Sequence, residues 1–391
     1  MQMKRSMQVL ATLGAVGASQ LAATCAHAQS SVTLYGLIDT SLVYSNNQKG
    51  SANYQMSSGT LSGSRWGLRG QEDLGGGMQA LFVLENGFSS TAGTLGQNGR
   101  EFGRAAYVGL GTPFGKFTAG RQNEASADFL GTLVASNQWA GGIGAHPGNT
   151  DNLYVNARIS NSVKYVSNDY AGFRFSGLYS FGGTAGNFGN NRVWSLGATY
   201  VNGPFVVAAS YLNAAQPNTS LYDGTAGTAA ISPNNTPIYS GYTSARTLQV
   251  AGLGGAYTLG AATFGVVYSN SKYKDLGTAA GTLPVTRFLG DTATFDNVEA
   301  NFRYQLTTPL LLGVSYNYTR SHGAGEAHYN QVNLGADYFL SKRTDVYLST
   351  GWQQASGTDS TGHAATAALW PITASSNSHQ IVAALGLRHK F

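Results

Sequence analysis

Val32-Thr33-Leu34-Tyr35-Gly36-Leu37-Ile38-Asp39-Thr40-Ser41-Leu42-Val43-Tyr44-Ser45 reads two residues at a time. Val32, Leu34, Gly36, Ile38, Thr40, Leu42 and Tyr44 share one face of an extended chain, and Thr33, Tyr35, Asp39 and Ser41 share the other. Successive side chains of a strand point to opposite faces, so the first set can meet an apolar medium while the second meets water. Asn46 to Gly59 is polar and reads as a loop. The next strand, Leu61 to Gln71, sets Trp66 and Leu68 against Arg65 and Arg69 on the opposite face.

The same grammar continues down the chain. Asp73-Leu74-Gly75-Gly76-Gly77 is a tight turn into Met78 to Phe88, since Gly reaches positive φ without a Cβ clash. A polar loop leads to Gly103 to Gly111, whose poor alternation leaves the face of Arg104 open. Thr112-Pro113-Phe114-Gly115 turns the chain into Lys116 to Asn123. Further on, Phe173, Phe175, Tyr179 and Phe181 oppose Arg174, Ser176 and Ser180. Val193 to Val201 and Phe205 to Leu212 meet at Asn202-Gly203, a strong hairpin signal. Three more hairpins are expected around Leu259-Gly260-Ala261, Thr307-Thr308-Pro309 and Ser341-Lys342-Arg343-Thr344. Ile381, Ala383, Leu385, Leu387, His389 and Phe391 then share one face of a last strand.

About sixteen strands result, each near the ~9–11 residues that a tilted membrane-spanning strand needs. Turns alternate short and long, as in antiparallel barrels of the outer membrane. Lipid cannot satisfy the backbone groups of an open sheet edge, so such a sheet must close. The expectation is an all-β fold: a transmembrane antiparallel β-barrel of 16 strands. Barrels of about 16–18 strands are too wide for wall side chains to fill and leave an aqueous channel.

Composition agrees. There are 52 Gly and 22 Tyr, and only 10% of residues are charged. Tyr44, Trp194, Tyr316 and Trp352 at strand ends suit an interfacial aromatic belt. Lys4 and Arg5, an apolar run from Val9 to Ala23, and Ala26-His27-Ala28 read as a signal peptide cleaved after Ala28. Residues 29–391 are then the barrel domain. Lipid attachment at Cys25 is disfavoured because Thr24, not a smaller residue, precedes it. Cleavage removes the only Cys, so no disulfide is expected. It also lowers the basic count from 23 to 21 against 18 acids, a net charge of +3, too mild to imply nucleic acid. No run of about 18 apolar residues marks a spanning helix after residue 28.

Ala125 to Ala157 interrupts the pattern. It is long, rich in Gly and Asn, and carries no sustained helix or strand period. Loops of such length inside a compact domain are usually functional. Flanked by strands on both sides, it is expected to fold into the barrel and narrow it.

At this point the chain resembles the general-diffusion porins of Gram-negative bacteria. The resemblance rests on Ser31-Val32-Thr33-Leu34-Tyr35-Gly36-Leu37-Ile38-Asp39 and on Ser64-Arg65-Trp66-Gly67-Leu68-Arg69-Gly70-Gln71-Glu72-Asp73-Leu74-Gly75. It rests further on Arg104-Ala105-Ala106-Tyr107-Val108-Gly109-Leu110, Phe114 to Gln122, Arg158 to Val163 and the terminal Phe391. It implies a sixteen-stranded homotrimer with an inward-folded third loop, and wall arginines facing loop acids. Carried across by position, Arg65, Arg121 and Arg158 match the wall arginines, with Arg69 beside Arg65. A compact acidic motif of the Pro-Glu-Phe-Gly type is absent, and Glu124, Asp128 and Asp151 stand as the candidate acids, with His146 inside the loop. Strict alternation with Phe117 and Ala119 would aim Arg121 at lipid, so a bulge at Gly120 is expected to turn it inward. Phe391 is expected to serve as the assembly signal read by the outer-membrane assembly machinery.

The function expected is a passive, water-filled channel for ions and small hydrophilic solutes, with a mild anion bias from the wall arginines. Its partners would be outer-membrane lipid and lipopolysaccharide. A substrate-selective channel on the same barrel is the alternative, which Trp139 and Tyr154 in the inward loop keep open. A barrel enzyme would need a nucleophile and base, and no Ser/His pair has identifying spacing. G-x-S-x-G, P-loop and H-E-x-x-H motifs are lacking, so no cofactor is expected. His322, Glu326 and His328 read as polar loop residues rather than metal ligands. A soluble β-sandwich adhesin is the remaining reading, and it would partition into water rather than detergent.

Overall fold

The computed structural model describes residues 31–223, 236–278 and 288–391. The expected signal peptide, its cleavage point and Cys25 lie outside these residues. Among the described residues seventeen strand segments occur: β1 Ser31–Gln48, β2 Ser51–Ser58, β3 Arg65–Gly75, β4 Met78–Gly87, β5 Ala105–Thr112 and β6 Gly115–Gln122. They continue as β7 Ile159–Ser167, β8 Phe173–Ser180, β9 Val193–Asn202, β10 Phe205–Ala215, β11 Thr247–Leu259 and β12 Ala262–Lys274. β13 Ala293–Thr307, β14 Leu310–Gly323, β15 Ala327–Phe339, β16 Thr344–Gly357 and β17 His379–Lys390 complete the set.

Every pairing is antiparallel, and the sheet closes on itself. β1 pairs with β17 from Leu37↔Lys390 to Ser45↔Val382, and with β3 from Ser31↔Gln71 to Leu37↔Arg65. β2 pairs with β1 from Thr40↔Ser58 to Gln48↔Ser51, on the side of β1 where β3 pairs lower down, so β2 and β3 together fill one place in the ring. The ring itself therefore has sixteen strands, as the sequence implies. One expectation changes here. The polar stretch after Ser45 is not an open loop: β1 runs on to Gln48, and β2 returns through Lys49-Gly50.

The two-residue period sorts the environments. Leu34, Phe264, Leu334 and Leu385 are exposed on the outer face, while alternate residues on the same strands are buried inside. The inner set mixes an apolar cluster, with Leu212, Leu248, Tyr273 and Phe295, and many polar groups: Ser269, Asn297, Glu299, Asn317, Gln331 and Gln353 are all nearly inaccessible. Such groups are tolerated only when hydrogen-bonded. Asp39 shows how this is met. Its carboxylate accepts from the backbone N–H of Leu61 at 2.9 Å, from that of Ser62 at 2.6 Å and from Tyr347 Oη at 2.5 Å. That set bridges the break between β2 and β3.

Turn chemistry follows the sequence. Gly203 sits at φ 55° in the β9–β10 turn, where a side chain would be strained. At the seam, Phe391 N–H donates to Gly36 O at 3.0 Å and Gly36 N–H donates to Phe391 O at 3.1 Å. The Phe391 ring packs where a Cβ on Gly36 would stand, 2.6 Å away.

Candidate functional site

The segment between β6 and β7, residues 123–158, turns into the ring rather than away from it. It is not structureless. Short turns follow one another: a helical turn Ala125–Asp128, a π turn Ser136–Ala140 and 3-10 turns at Leu130–Thr132, Gly142–Gly144 and Pro147–Asn149. Glu124 caps the first, accepting from Ser126 N–H at 2.7 Å. Leu130, Val134, Trp139, Ala140 and Ile143 are buried.

What seats the loop is glycine in the wall. A Cβ on Gly252 would come 2.4 Å from Leu130, on Gly313 2.2 Å from the Trp139 indole, and on Gly351 2.6 Å from Ile143. These wall positions are sockets, and each loop side chain fills one. Polar wall residues then fix the loop backbone. Ala135 N–H donates to Glu299 at 2.8 Å, Gln331 Nε2 donates to the carbonyls of Ile143 and Ala145, and Ser349 Oγ donates to Ala140 O.

A buried ionic cluster holds the loop further along. His146 Nδ1 lies 2.6 Å from Asp151, and His146 Nε2 makes an ion contact of 3.2 Å with Glu299 of β13. Ser269 of β12 donates to Asp151. Burial disfavours the imidazolium, yet the Asp151 carboxylate and Glu299 more than reverse this and raise the His146 pKa to about 10. Asp151 resists burial in the same way: His146 and its hydrogen bonds hold it below the ordinary carboxylate range.

With the loop docked on β11 to β16, open space remains along the other side. It is a cavity of about 760 Å³ lined by β1, β3 to β7 and the two roots of the loop. Five bases, Arg69, Arg104, Lys116, Arg158 and Lys164, and two acids, Glu85 and Asp128, face it. Arg104 Nε donates to Glu85 at 2.7 Å, Arg65 approaches the same carboxylate at 4.0 Å, and Tyr35 Oη donates to it at 3.0 Å. Arg158 is nearly buried, with its guanidinium donating to the carbonyls of Val155 and Asn156. Burial, reinforced by the nearby Arg104, pushes its pKa well down, with Glu85 pulling the other way. Nearer the short-turn end, the Arg69 guanidinium stacks over Tyr35 at 5.3 Å. Lys164 Nζ pairs with Asp128 at 2.6 Å.

The structure thus gathers Arg65, Arg69, Arg158 and Asp128 of the expected residues at or beside the cavity. It withdraws two acids from it. Glu124 caps a turn and Asp151 binds His146, both essentially inaccessible. Their carboxylates anchor the loop because its own N–H groups and a histidine lie closer than any open space. Arg121 also lies off the cavity. The expected bulge at Gly120 does not form in β6: the β6–β7 ladder shifts register between Gly120 and Gln122, but the extra residue lies in β7 between Ile159 and Ser162, and Arg121 is not turned into the cavity. Arg121 donates to Gly103 O at 2.8 Å, Arg158 O at 3.2 Å and Ser160 Oγ at 2.6 Å. Sequence reading missed Glu85 and Arg104. Trp139 sits in a wall socket, so it offers no stacking surface to a passing solute.

Comparison with known proteins places this arrangement. A model of the Gram-negative porin family matches residues 11–358. An outer membrane porin protein of Bordetella pertussis is 31% identical over 388 residues, covering 88% of this chain and 93% of that protein. Outer membrane porin protein 32 of Delftia acidovorans is 31% identical over 365 residues, covering 88% of each. Among solved structures, the anion-selective porin from Comamonas acidovorans superposes with a TM-score of 0.70 at 23% identity, covering 93% of this chain and all of that one. The outer membrane protein OmpT of Vibrio cholerae in its trimer form gives 0.63 at 18%, covering 93% and 99%.

Proposed function

Because this chain belongs to the Gram-negative porin family, we propose that its arginine-lined cavity is the constriction of an anion-favouring diffusion channel. The protein is an outer-membrane porin, a passive water-filled passage for ions and small hydrophilic solutes, and not an enzyme. The selectivity is the part that rests on our own reading. Five bases against two acids face a cavity beside a docked loop, and this single observation carries it. Both acids are already engaged, Glu85 by Arg104 and Asp128 by Lys164. Fixed cations in a narrow, weakly screened passage raise the local anion concentration and lower that of cations.

The site residues follow from this reading. Arg65, Arg104 and Arg158 form the upper cationic ring, Arg69 and Lys116 continue it toward the periplasmic mouth, and Asp128 is its one loop acid. The buried positions of Glu124 and Asp151 make them anchors, and Arg121 supports Arg158 through its carbonyl. The seating of Trp139 in the wall disfavours a stacking, substrate-selective channel.

A homotrimer is the assembly proposed, on the precedent of the trimeric OmpT form. The exposed apolar outer face would meet outer-membrane lipid and lipopolysaccharide. Phe391, at the closing seam, is the residue proposed to be read by the assembly machinery. Export by a leader cleaved after Ala28 completes the reading.

Single-channel recording in a planar bilayer with a salt gradient tests it. Stepwise, ohmic openings in multiples of three with an anion-favouring reversal potential are expected. A cation-favouring potential from a folded trimer overturns the selectivity.

A further inference from the structure

Above the constriction, Asp223 joins two outer loops. Arg100 donates to its carboxylate through Nη1 at 2.8 Å and Nη2 at 3.2 Å, a bidentate fork. Asn98 Nδ2 adds a contact at 3.5 Å, and Arg121 Nη2 lies 3.8 Å from the same group. Arg100 belongs to the loop between β4 and β5, whereas Asp223 follows β10. Four strands, β6 to β9, separate β5 from β10 around the ring. The Arg100–Asp223 pair therefore links two outer loops whose roots stand apart on the ring, and it does so beside Arg121 of β6, one of the strands between them.

The Asp223 end of the tie and the neighbouring Arg121 are both held. Leu221 and Tyr222, just before Asp223, are buried, and Tyr222 Oη lies 2.9 Å from Tyr273 Oη on β12. Arg121 is fixed from below by the carbonyls of Gly103 and Arg158. The acid thus stands between a loop cation and a wall cation that contacts the Arg158 backbone. The side chains of Arg100 and Asp223 remain 41% and 25% exposed, so solvent and salt reach the pair.

We propose that Asp223 is a selectivity-determining residue of the mouth. Its carboxylate is the counter-ion that masks Arg100 and Arg121 from entering anions, and it straps the β4–β5 loop to the loop after β10 above the constriction. This rests on the reading of the channel as an arginine-lined, anion-favouring pore. An exposed ion pair is weak and screened by salt, so the strap holds at low ionic strength and loosens as salt rises.

The test compares Asp223→Asn and Arg100→Gln with the unsubstituted trimer in planar bilayers, at about 0.1 M and about 1 M KCl. Oligomer integrity is checked by heat-dependent gel migration. Asp223→Asn should raise the anion-to-cation permeability ratio about twofold at the lower salt and raise conductance, with both differences shrinking at the higher salt. Arg100→Gln should raise conductance while moving the ratio toward cations. An unchanged ratio at low salt in either folded variant overturns the proposal. An unsubstituted channel with no anion preference, yet a ratio that still shifts in Asp223→Asn, would overturn the constriction reading and leave the strap in place.

Discussion

Arg104 Nε stands 2.7 Å from Glu85 Oε1, and both side chains are largely withdrawn from solvent. The pair joins the start of β5 to β4 at the point where Arg65 and Tyr35 also converge. One carboxylate thus organises two guanidinium groups and partly cancels them.

Replacing Glu85 with Gln should free that cancelled charge. One unit of charge beside a confined ion path is worth about 1 kcal/mol to a passing monovalent ion, or ~5-fold in relative permeability. Glu85→Gln should raise the anion-to-cation ratio by that order and Arg104→Gln should lower it, both read from the reversal potential in a salt gradient. Equal shifts of the same sign would refute the assignment.

The anchor at His146 has a defined pH window. Its folded pKa of about 10 lies above the ~6.5 of an unfolded histidine. Its stabilisation is full below about pH 6.5 and is lost as pH rises through 10. Asp151 is depressed, so its contribution is present above about pH 4 and is lost as pH falls through the lowered value. Loop noise in single-channel records should therefore stay low between these limits and grow at alkaline pH. His146→Gln should cost about 3–5 kcal/mol, because it leaves buried Asp151 and Glu299 without their cation. Thermal unfolding of the folded form measures this.

Gly313 should not tolerate even Ala. The added methyl would meet the Trp139 indole at 2.2 Å, and overpacking of this kind costs about 1–3 kcal/mol. Trp139→Ala fails in the opposite direction, by leaving a cavity, at about 3–5 kcal/mol. Both variants should lower the unfolding temperature and release the loop tip, seen as faster flicker. Trp139→Ala in the Gly313→Ala background should recover part of the loss, since the clash is then gone.

Removal of the aromatic ring at the seam gives a fourth expectation. Phe391→Ala keeps both backbone bonds to Gly36 but loses the ring packed beside it. Insertion into lipid vesicles should slow, with little change in the conductance of the channels that do form. A normal insertion rate, measured by the appearance of the heat-sensitive folded band, would refute a role for the ring in assembly.

The wall was legible in the sequence because a strand between lipid and water repeats every two residues, as Leu34, Ile38 and Leu42 show on β1. The inward loop was legible as an interruption. Its anchoring was not, for a physical reason. Gly252, Gly313 and Gly351 lie within strands, where glycine looks like weak propensity, and only the approach of Leu130, Trp139 and Ile143 shows them to be sockets. Arg104 was hidden because it sits just outside β5, where alternation has not begun. Glu124 and Asp151 stood as candidate constriction acids because the resemblance implies acids on this loop opposite the wall arginines, and the sequence does not show which acids the loop turns into its own anchoring. Here the loop is itself interior. The β1–β2 hairpin escaped because Asn46 to Ser58 is mostly polar, with only Tyr54 and Met56 to mark an outward apolar face.

The off-centre cavity has an electrical consequence. Resistance along a water column grows as its cross-section shrinks, so an applied voltage falls chiefly across the thin slab beside the docked loop. The wide vestibules on either side contribute little. Girth and aperture are thereby uncoupled. Sixteen strands set the size of the frame, while the side chains seated in three glycine sockets set how much of it conducts. A change of loop length or socket volume could retune the sieve with no strand gained or lost.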